Sequence, residues 1–258
     1  MHVALTIAGS DSGGGAGVQA DLLTFRHFGV LGASAITAVT AQNQSGVRAW
    51  EAVSPALVAA QIDAVAEGYS PSAFKTGMLG TADVAREVKA AIVRHRLPNY
   101  VLDPVMVASS GASLLDVEGV RVLRDSLLPL ASLVTPNTDE AGELLGESIR
   151  TMDDAALAAE KLVLMLGAKA ALVTGGHLPG NEIVDVLFTN QVRFFRAPRI
   201  RAGSIHGTGC ALSAGIAARL ATGAPLGDAV RDAIAHVRSA ISGALTSGEG
   251  AGQVSYLA

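Results

Sequence analysis

Five consecutive residues, His206-Gly207-Thr208-Gly209-Cys210, bring together two glycines, a hydroxyl and the only cysteine of the chain. Before them lies an apolar run with a polar tail that includes Val192, Phe194 and Phe195; after them Ala211 to Leu220 are mostly small and apolar, ending near Gly223. The first run reads as a strand and the second as a buried helix. Without Cβ atoms at 207 and 209 the backbone can come close to a ligand, and the first amides of a helix have no intrahelical acceptor. Those amides and the helix dipole favour a phosphate or another developing negative charge. The same residues also fit a plain strand-to-helix turn, with Thr208 as N-cap and Cys210 as a small buried hydrophobe. A second site has to decide.

Further polar clusters fall where other strand-like runs end: Gly9 to Gly17, Gln42-Asn43, Lys75 to Gly77, Asp103-Pro104, Thr135 to Glu140 and Thr174 to His177. Gln42 has an amide that donates and accepts, suited to the edge of a heteroaromatic ring such as an aminopyrimidine, or to an ordinary polar loop. Asp21 follows Ala16 by five residues, near the same strand end or on a solvated helix face. Asn137-Thr138-Asp139-Glu140 has capping-box spacing, and Glu140 also suits Mg²⁺ held through water where the cation bridges nucleotide phosphates. Asp103 before Pro104 either starts a turn or sits near metal and phosphates. A dinucleotide fold is disfavoured. Val18 occupies the last glycine position counted from Gly13, and the second strand ends in Ala41-Gln42-Asn43 with no carboxylate for a ribose. No Gly-x-x-x-x-Gly-Lys-Ser/Thr loop occurs.

The elements that must position these clusters alternate along the chain. Strands are expected at 3–8, 33–40, 73–75, 100–103, 131–134, 170–174 and 183–188, and helices at 16–28, 54–67, 81–95, 117–128, 138–145, 153–166 and 226–245. The pattern predicts a three-layer α/β/α sandwich around a mostly parallel sheet, as one domain over 1–258. Alternating residues at 46–53 suggest a small flap beside it. In such sheets ligands sit at the carboxyl ends of the strands, where the clusters converge.

Composition narrows the function classes. The chain has 258 residues, half of them hydrophobic, enough for one large core. A net charge of −4 and 4% aromatic residues supply neither a basic field nor a stacking platform, so nucleic acid is not expected as a partner. No apolar stretch reaches membrane-spanning length, Val3 to Ala8 is too short for a signal segment, and one cysteine suits a reducing cytoplasm. A mean hydropathy of +0.40 fits apolar surface shared between subunits or an alanine-rich sheet covered by helices, and a homodimer is expected.

In order along the chain, Gly14–Asp21 (GGAGVQAD), 36–43 (ITAVTAQN), 75–79 (KTGML), 101–107 (VLDPVMV), 127–131 (LLPLA), 135–137 (TPN), 175–177 (GGH) and 206–214 (HGTGCALSA) resemble the hydroxymethylpyrimidine/phosphomethylpyrimidine kinases of thiamine biosynthesis, within the ribokinase superfamily. The likeness implies a ribokinase-like fold and ATP-dependent phosphorylation of 4-amino-5-hydroxymethyl-2-methylpyrimidine, then of its monophosphate, with Mg²⁺. It implies that Gln42, Asp21, Ala16, Met78 and Val107 contact the pyrimidine, and that Gly207, Gly209 and Cys210 form the anion hole. Asn137, Thr174 and Thr208 fall on nucleotide positions, and Glu140 and Asp103 near the metal. Cys210 stands where most of the superfamily has an Asp as base, a role open to a thiolate favoured by a helix start. Four positions depart from the family: Ser12-Gly13 replaces a frequent Pro-Ser, and Thr174 and Ile234 replace frequent lysines. His177 and His206 have no carboxylate partner in prospect and read as structural. Rival readings are a pyridoxal kinase, a cysteine hydrolase, disfavoured because Thr208 and Leu212 break the Gly-x-Cys-x-Gly elbow, and a ligand-binding protein without turnover.

Overall fold

The computed structural model describes residues 1–43, 46–108, 111–200 and 206–246, with side chains of the last helix to residue 243. The elements run β1 (Val3–Asp11), α1 (Gly17–His27), β2 (Leu31–Asn43), β3 (Gly46–Ala52), α2 (Pro55–Tyr69), β4 (Ala73–Thr76), α3 (Ala82–His95) and β5 (Tyr100–Leu102). They continue with α4 (Val117–Val122), β6 (Leu133–Val134), α5 (Thr138–Leu145), α6 (Met152–Leu164), β7 (Ala171–Val173), β8 (Glu182–Phe188), β9 (Val192–Pro198), α7 (Thr208–Ala221) and α8 (Leu226–Thr246).

One nine-stranded sheet has the order β3-β2-β1-β4-β5-β6-β7-β8-β9. The strands from β2 through β1 and β4 to β7 are parallel, whereas β3, β8 and β9 pair antiparallel. Parallel neighbours need a crossover, and helices supply it; the tight connections at the two edges permit only antiparallel pairing. The segment expected as a flap is therefore the edge strand β3 of the main sheet. It also leans over one end of the sheet, where Val47 and Trp50 pack against Met78 and Leu114.

Alternation along the strands feeds two cores. Leu5, Ile7, Phe74 and Leu102 join residues of α2, α3, α5 and α6, while Ala4, Ala73 and Val101 join α1, α7 and α8. The second face is lined by alanines, which lets α7 and α8 lie close: a Cβ on Gly215 would come 3.0 Å from that of Ala233. The helix expected over 117–128 is divided. After α4 the chain widens into a π turn at Leu123–Leu127 and tightens into a 3₁₀ turn at Leu128–Leu130, where Pro129 has no amide to give.

The helix starts differ in a way that bears on the cleft. Ser54, Thr81, Asp116, Asn137 and Thr151 cap α2 to α6 through their side chains. By contrast, α1 begins at Ala16 and α7 at Gly207 with no side-chain cap, so their first amides are left for something else. No described helix is long and apolar enough to cross a membrane.

Candidate active site

A cleft of about 1690 Å³ runs along the carboxyl ends of the strands. One end is lined by Ala16, Gln42, Met78, Val107 and His206, the middle by Gly207 to Cys210 and Asp103, and the other by Asn137, Glu140, Thr174 and Asp185. Twelve of the thirteen residues singled out for chemistry thus meet in one cleft.

The exception is Asp21. Its side chain is fully buried, 3.1 Å from Lys75 Nζ, and Thr6 Oγ1 donates to it at 2.6 Å. It does not line the cleft and serves instead as counter-ion to Lys75. Lys75 is equally buried and also reaches Asp103 Oδ2 at 3.3 Å, which Ser213 Oγ on α7 donates to at 2.9 Å. A polar chain thereby links β1, α1, β4, β5 and α7 beneath the cleft floor. Burial opposes charge on Lys75, but Asp21 and Asp103 outweigh it and hold the ammonium protonated. A Cβ on Gly77, which lines the cleft, would stand 3.4 Å from Nζ, so this charge lies just behind the wall.

At the start of α7, Gly207 is the N-cap with φ 86°, and Thr208 is the first helical residue, not the cap. Only glycine fits here: a Cβ on Gly207 would lie 1.9 Å from Gly15 O. The loop after β1 and the start of α7 are pressed together. Gly17 behaves likewise at φ 58°, where a Cβ would be 2.3 Å from Gly9 O. Gly209 is different, for a Cβ there meets no atom within 4 Å.

Cys210 is a free thiol whose sulfur accepts a hydrogen bond from the Gly17 amide. Burial pushes its pKa up to about 12, Asp103 and Asp21 add to the rise, and Lys75 and the Gly17 amide only partly oppose it. The thiolate expected from the helix start is not formed here, because loss of hydration outweighs the dipole.

The glycine-rich loop is organised by Asp11. Its Oδ1 accepts the Gly13 amide at 2.8 Å, and Oδ2 accepts those of Gly15 and Ala16 at 3.1 and 2.9 Å. Burial works against the charge, but His206 and these bonds hold its pKa below the usual carboxylate range. Ser12 Oγ donates to Gln42 O and accepts from Gln42 N, both at 2.8 Å, so serine at a departing position ties the loop to β2. Because β2 extends to Asn43, Gln42 is on a strand and not in a loop. His206 Nε2 lies 2.7 Å from the Gln42 amide and 3.4 Å from Asp11 Oδ2, and His177 Nδ1 lies 3.2 Å from Asp139. Both histidines therefore have the carboxylate partner that local sequence did not reveal, since those partners are distant in the chain or across a loop.

At the far end, Asn137 caps α5 and Glu140 Oε2 accepts the Asn137 amide at 2.9 Å, a complete capping box. Glu140 nevertheless lines the cleft, and burial, with Asp103 and Asp139 nearby, raises its pKa to about 8. Glu140 and Asp103 at one cleft wall are a donor set for a hard divalent cation completed by phosphate and water. Among the described residues no three acidic, histidine or cysteine side chains cluster for a metal, so the protein by itself does not make a full cage. Thr174 bridges to Asn137, and its amide donates to Pro136 O at 2.9 Å. Beside it, buried Asp185 accepts the Gly175 amide at 2.9 Å, and burial raises its pKa to about 6 against the pull of Arg238.

Sequence reasoning passed over Asp11, Ser12, Lys75, Asp185 and Ser213 as individual residues. Asp11 had a signal, an Asp two residues before glycine at a strand end, which is Asx-turn chemistry. Lys75 had none, because a lysine in a four-residue strand gives no hint that two carboxylates are waiting behind it.

An uncapped helix start over a shielded lysine, with carboxylates further along the same strand ends, is built to steady phosphate in transit. The class so defined is a kinase of the ribokinase-like α/β fold. Within that class the chain belongs to the phosphomethylpyrimidine kinase family, which residues 11–255 match. A hydroxymethylpyrimidine/phosphomethylpyrimidine kinase of Rhizobium meliloti is 49% identical over 262 residues, 98% of this chain and 96% of that protein. The crystal structure of phosphomethylpyrimidine kinase from Clostridium difficile superposes with a TM-score of 0.83 at 39% identity, covering 93% of this chain and all of the other. An ADP complex of Bacillus subtilis pyridoxal kinase gives 0.86 at 38% identity, covering 93% and 92%.

Proposed function

We propose that the protein transfers the γ-phosphoryl group of ATP to 4-amino-5-hydroxymethyl-2-methylpyrimidine and then to the resulting monophosphate, yielding the pyrophosphate used to build thiamine phosphate. The observation that carries this reading is the sharing of one cleft by Gln42 and the uncapped start of α7, joined through His206. Gln42 reads the ring edge, Ala16, Met78 and Val107 enclose the ring, and the hydroxymethyl group points to Gly207–Cys210. The amides of α7 receive the charge that gathers on the travelling phosphoryl group. Lys75, matched by Asp21 and Asp103, holds the Asp103 carboxylate in place from behind the wall.

The nucleotide lies along Asn137, Thr174 and Thr208. Mg²⁺, held by Glu140 and Asp103, would neutralise the phosphate oxygens. Where the family has lysines at 174 and 234, this chain offers Arg196, Arg199, Arg231 and Arg238 on the same cleft end. Arg199 is committed to the carbonyls of Gly176, Leu178 and Gly180, shaping the loop after β7. Arg238 spends one N–H on Pro198 O at 2.9 Å and keeps donors for a phosphate.

The two acceptors make different demands. The alcohol must lose a proton, whereas a phosphate monoester, with a second pKa of about 6, arrives ionised. Cys210 keeps its own proton near neutral pH, so the anion hole carries the greater part of catalysis in both steps. The reaction suits the cytoplasm, where a lone thiol stays reduced. A homodimer is the assembly its mean hydropathy favours.

The test is ADP release by the purified protein with the pyrimidine alcohol, its phosphate and pyridoxal side by side, with Mg²⁺ and without. Turnover of both pyrimidines that needs Mg²⁺ is expected. Preference for pyridoxal would favour the second reading, which rests on the likeness to pyridoxal kinase. Tight binding with no ADP would overturn both.

A further inference from the structure

Resting on that pyrimidine reading, we propose that His206, held by Asp11, fixes which end of the Gln42 amide faces the substrate: Oε1 turns to the imidazole and the NH₂ group is left to donate to an unprotonated ring nitrogen.

The hydrogens available around Gln42 settle its orientation. Asp11 is 4% exposed and its carboxylate already gathers three backbone amides, so it is an anion. His206 Nε2 is 3.4 Å from that carboxylate and 2.7 Å from the Gln42 amide, so one imidazole nitrogen faces both groups. The amide nitrogen is placed on this side and its oxygen toward Thr40, so the amide has to be turned over to suit the imidazole. A bare lone pair on Nε2 would point at a negative charge. A hydrogen on Nε2 is attracted to it, and that hydrogen cannot meet an amide NH₂ at 2.7 Å, since both would be donors. The amide oxygen and nitrogen are alike in size, so placing the oxygen there needs no extra room.

Thr40 gives an independent count. Its Oγ1 lies 3.0 Å from Ser10 O and 3.3 Å from the atom placed as Gln42 Oε1. The hydroxyl has a single hydrogen. If an oxygen of Gln42 faced Thr40, that hydrogen would have to serve two acceptors. With the NH₂ there instead, Thr40 donates to Ser10 O and accepts one amide hydrogen, and every group is satisfied. The second amide hydrogen remains, and Gln42 lines the cleft. Ser12 clamps the Gln42 backbone in both directions, so the amide swings from a fixed root.

His206 is thus a positioning residue for specificity. A ring nitrogen with a free lone pair, as in a 4-aminopyrimidine, is accepted. A ring N–H at the same place, as in the 4-oxo analogue, meets another donor and is refused.

Two experiments on the full chain test this. In ¹⁵N-histidine-labelled protein at pH 7.5 without ligand, the His206 ring, assigned by its loss in His206→Gln, is expected to carry hydrogen on Nε2. A bare Nε2 would overturn the proposal whatever the enzyme's activity. In kinetics, His206→Ala is expected to raise KM for the 4-amino alcohol about tenfold, leave KM for ATP and kcat within about threefold, and narrow the preference over the 4-oxo alcohol at least tenfold. His206→Gln, which can present an N–H near the Nε2 position, is expected to restore that preference. Unchanged discrimination in His206→Ala would also overturn it. Absence of turnover in the unmodified protein would sink the pyrimidine reading instead, while the ring proton would still be read directly.

Discussion

Replacing Gly207 by alanine separates an anion hole from an ordinary turn. The added Cβ would sit 1.9 Å from Gly15 O, where real Cβ atoms stay beyond 3.0 Å, so the two segments must part by about 1 Å. The φ of 86° adds roughly 1 kcal/mol of strain for any residue with a Cβ. A shift of this size at the start of α7 displaces the amides proposed to receive the phosphoryl charge. A 1 Å misplacement costs about 10²-fold in rate, and loss of one such donor about 10² to 10³-fold. Gly207→Ala should therefore lower kcat by about 10² to 10³-fold for both acceptors alike, because one hole serves both transfers. Unfolding free energy should fall by about 1–3 kcal/mol. Gly209→Ala is the companion, since its Cβ meets no atom within 4 Å and its stability should stay within about 0.5–1 kcal/mol of the parent. The measurements are single-turnover ADP formation with each acceptor and urea unfolding. A Gly207→Ala protein with kcat within threefold of the parent for either acceptor would refute the assignment of these amides.

Cys210→Ala bears on the proton. With the thiol at about 12, the thiolate is about 10⁵-fold rare at pH 7, a penalty near 7 kcal/mol. The alcohol step should therefore lose less than about tenfold, against the 10² to 10⁴-fold typical of a general base, and the phosphate step should hardly change. A hundredfold loss confined to the alcohol would restore Cys210 as base. Lys75→Met strands two buried carboxylates and should cost about 3–5 kcal/mol in urea unfolding, part of it recovered when Asp21→Asn is added; independent, additive effects would contradict the network. His236 provides a pH signature. Burial and then His27 lower its pKa to about 4 from 6.5, so the unfolded chain takes up a proton first as pH falls. Its contribution is absent above pH 6.5, and destabilisation grows between pH 6.5 and 4 to at most about 3 kcal/mol. Thermal melts of His236→Phe should be flatter across that window; equal slopes would contradict this.

Much of the architecture was legible because hydrophobic period is local. The alternation of short apolar runs with amphipathic stretches placed the parallel strands and the main helices, and the turn chemistry at their ends pointed to a single edge of the sheet. What period cannot tell is pairing. The residues at 46–53 gave a strand, but whether it formed a flap or an edge depended on its partner β2. Pro129 altered a helix whose apolar pattern ran on unbroken.

At the site, residue type and spacing placed at strand ends a turn fit for a phosphate or a plain helix start, an amide fit for a ring edge or a polar loop, and a capping box with a spare carboxylate. Only tertiary structure decided their charges. Asp21 and Lys75 are 54 residues apart in the chain, yet each is the reason the other is buried. Asp11 and His206 come from opposite ends of the sequence and meet over Gln42. Cys210 follows a helix start that favours a thiolate, and the surrounding protein reverses that preference. Protonation follows burial and through-space neighbours, and these come into being only when the chain closes on itself.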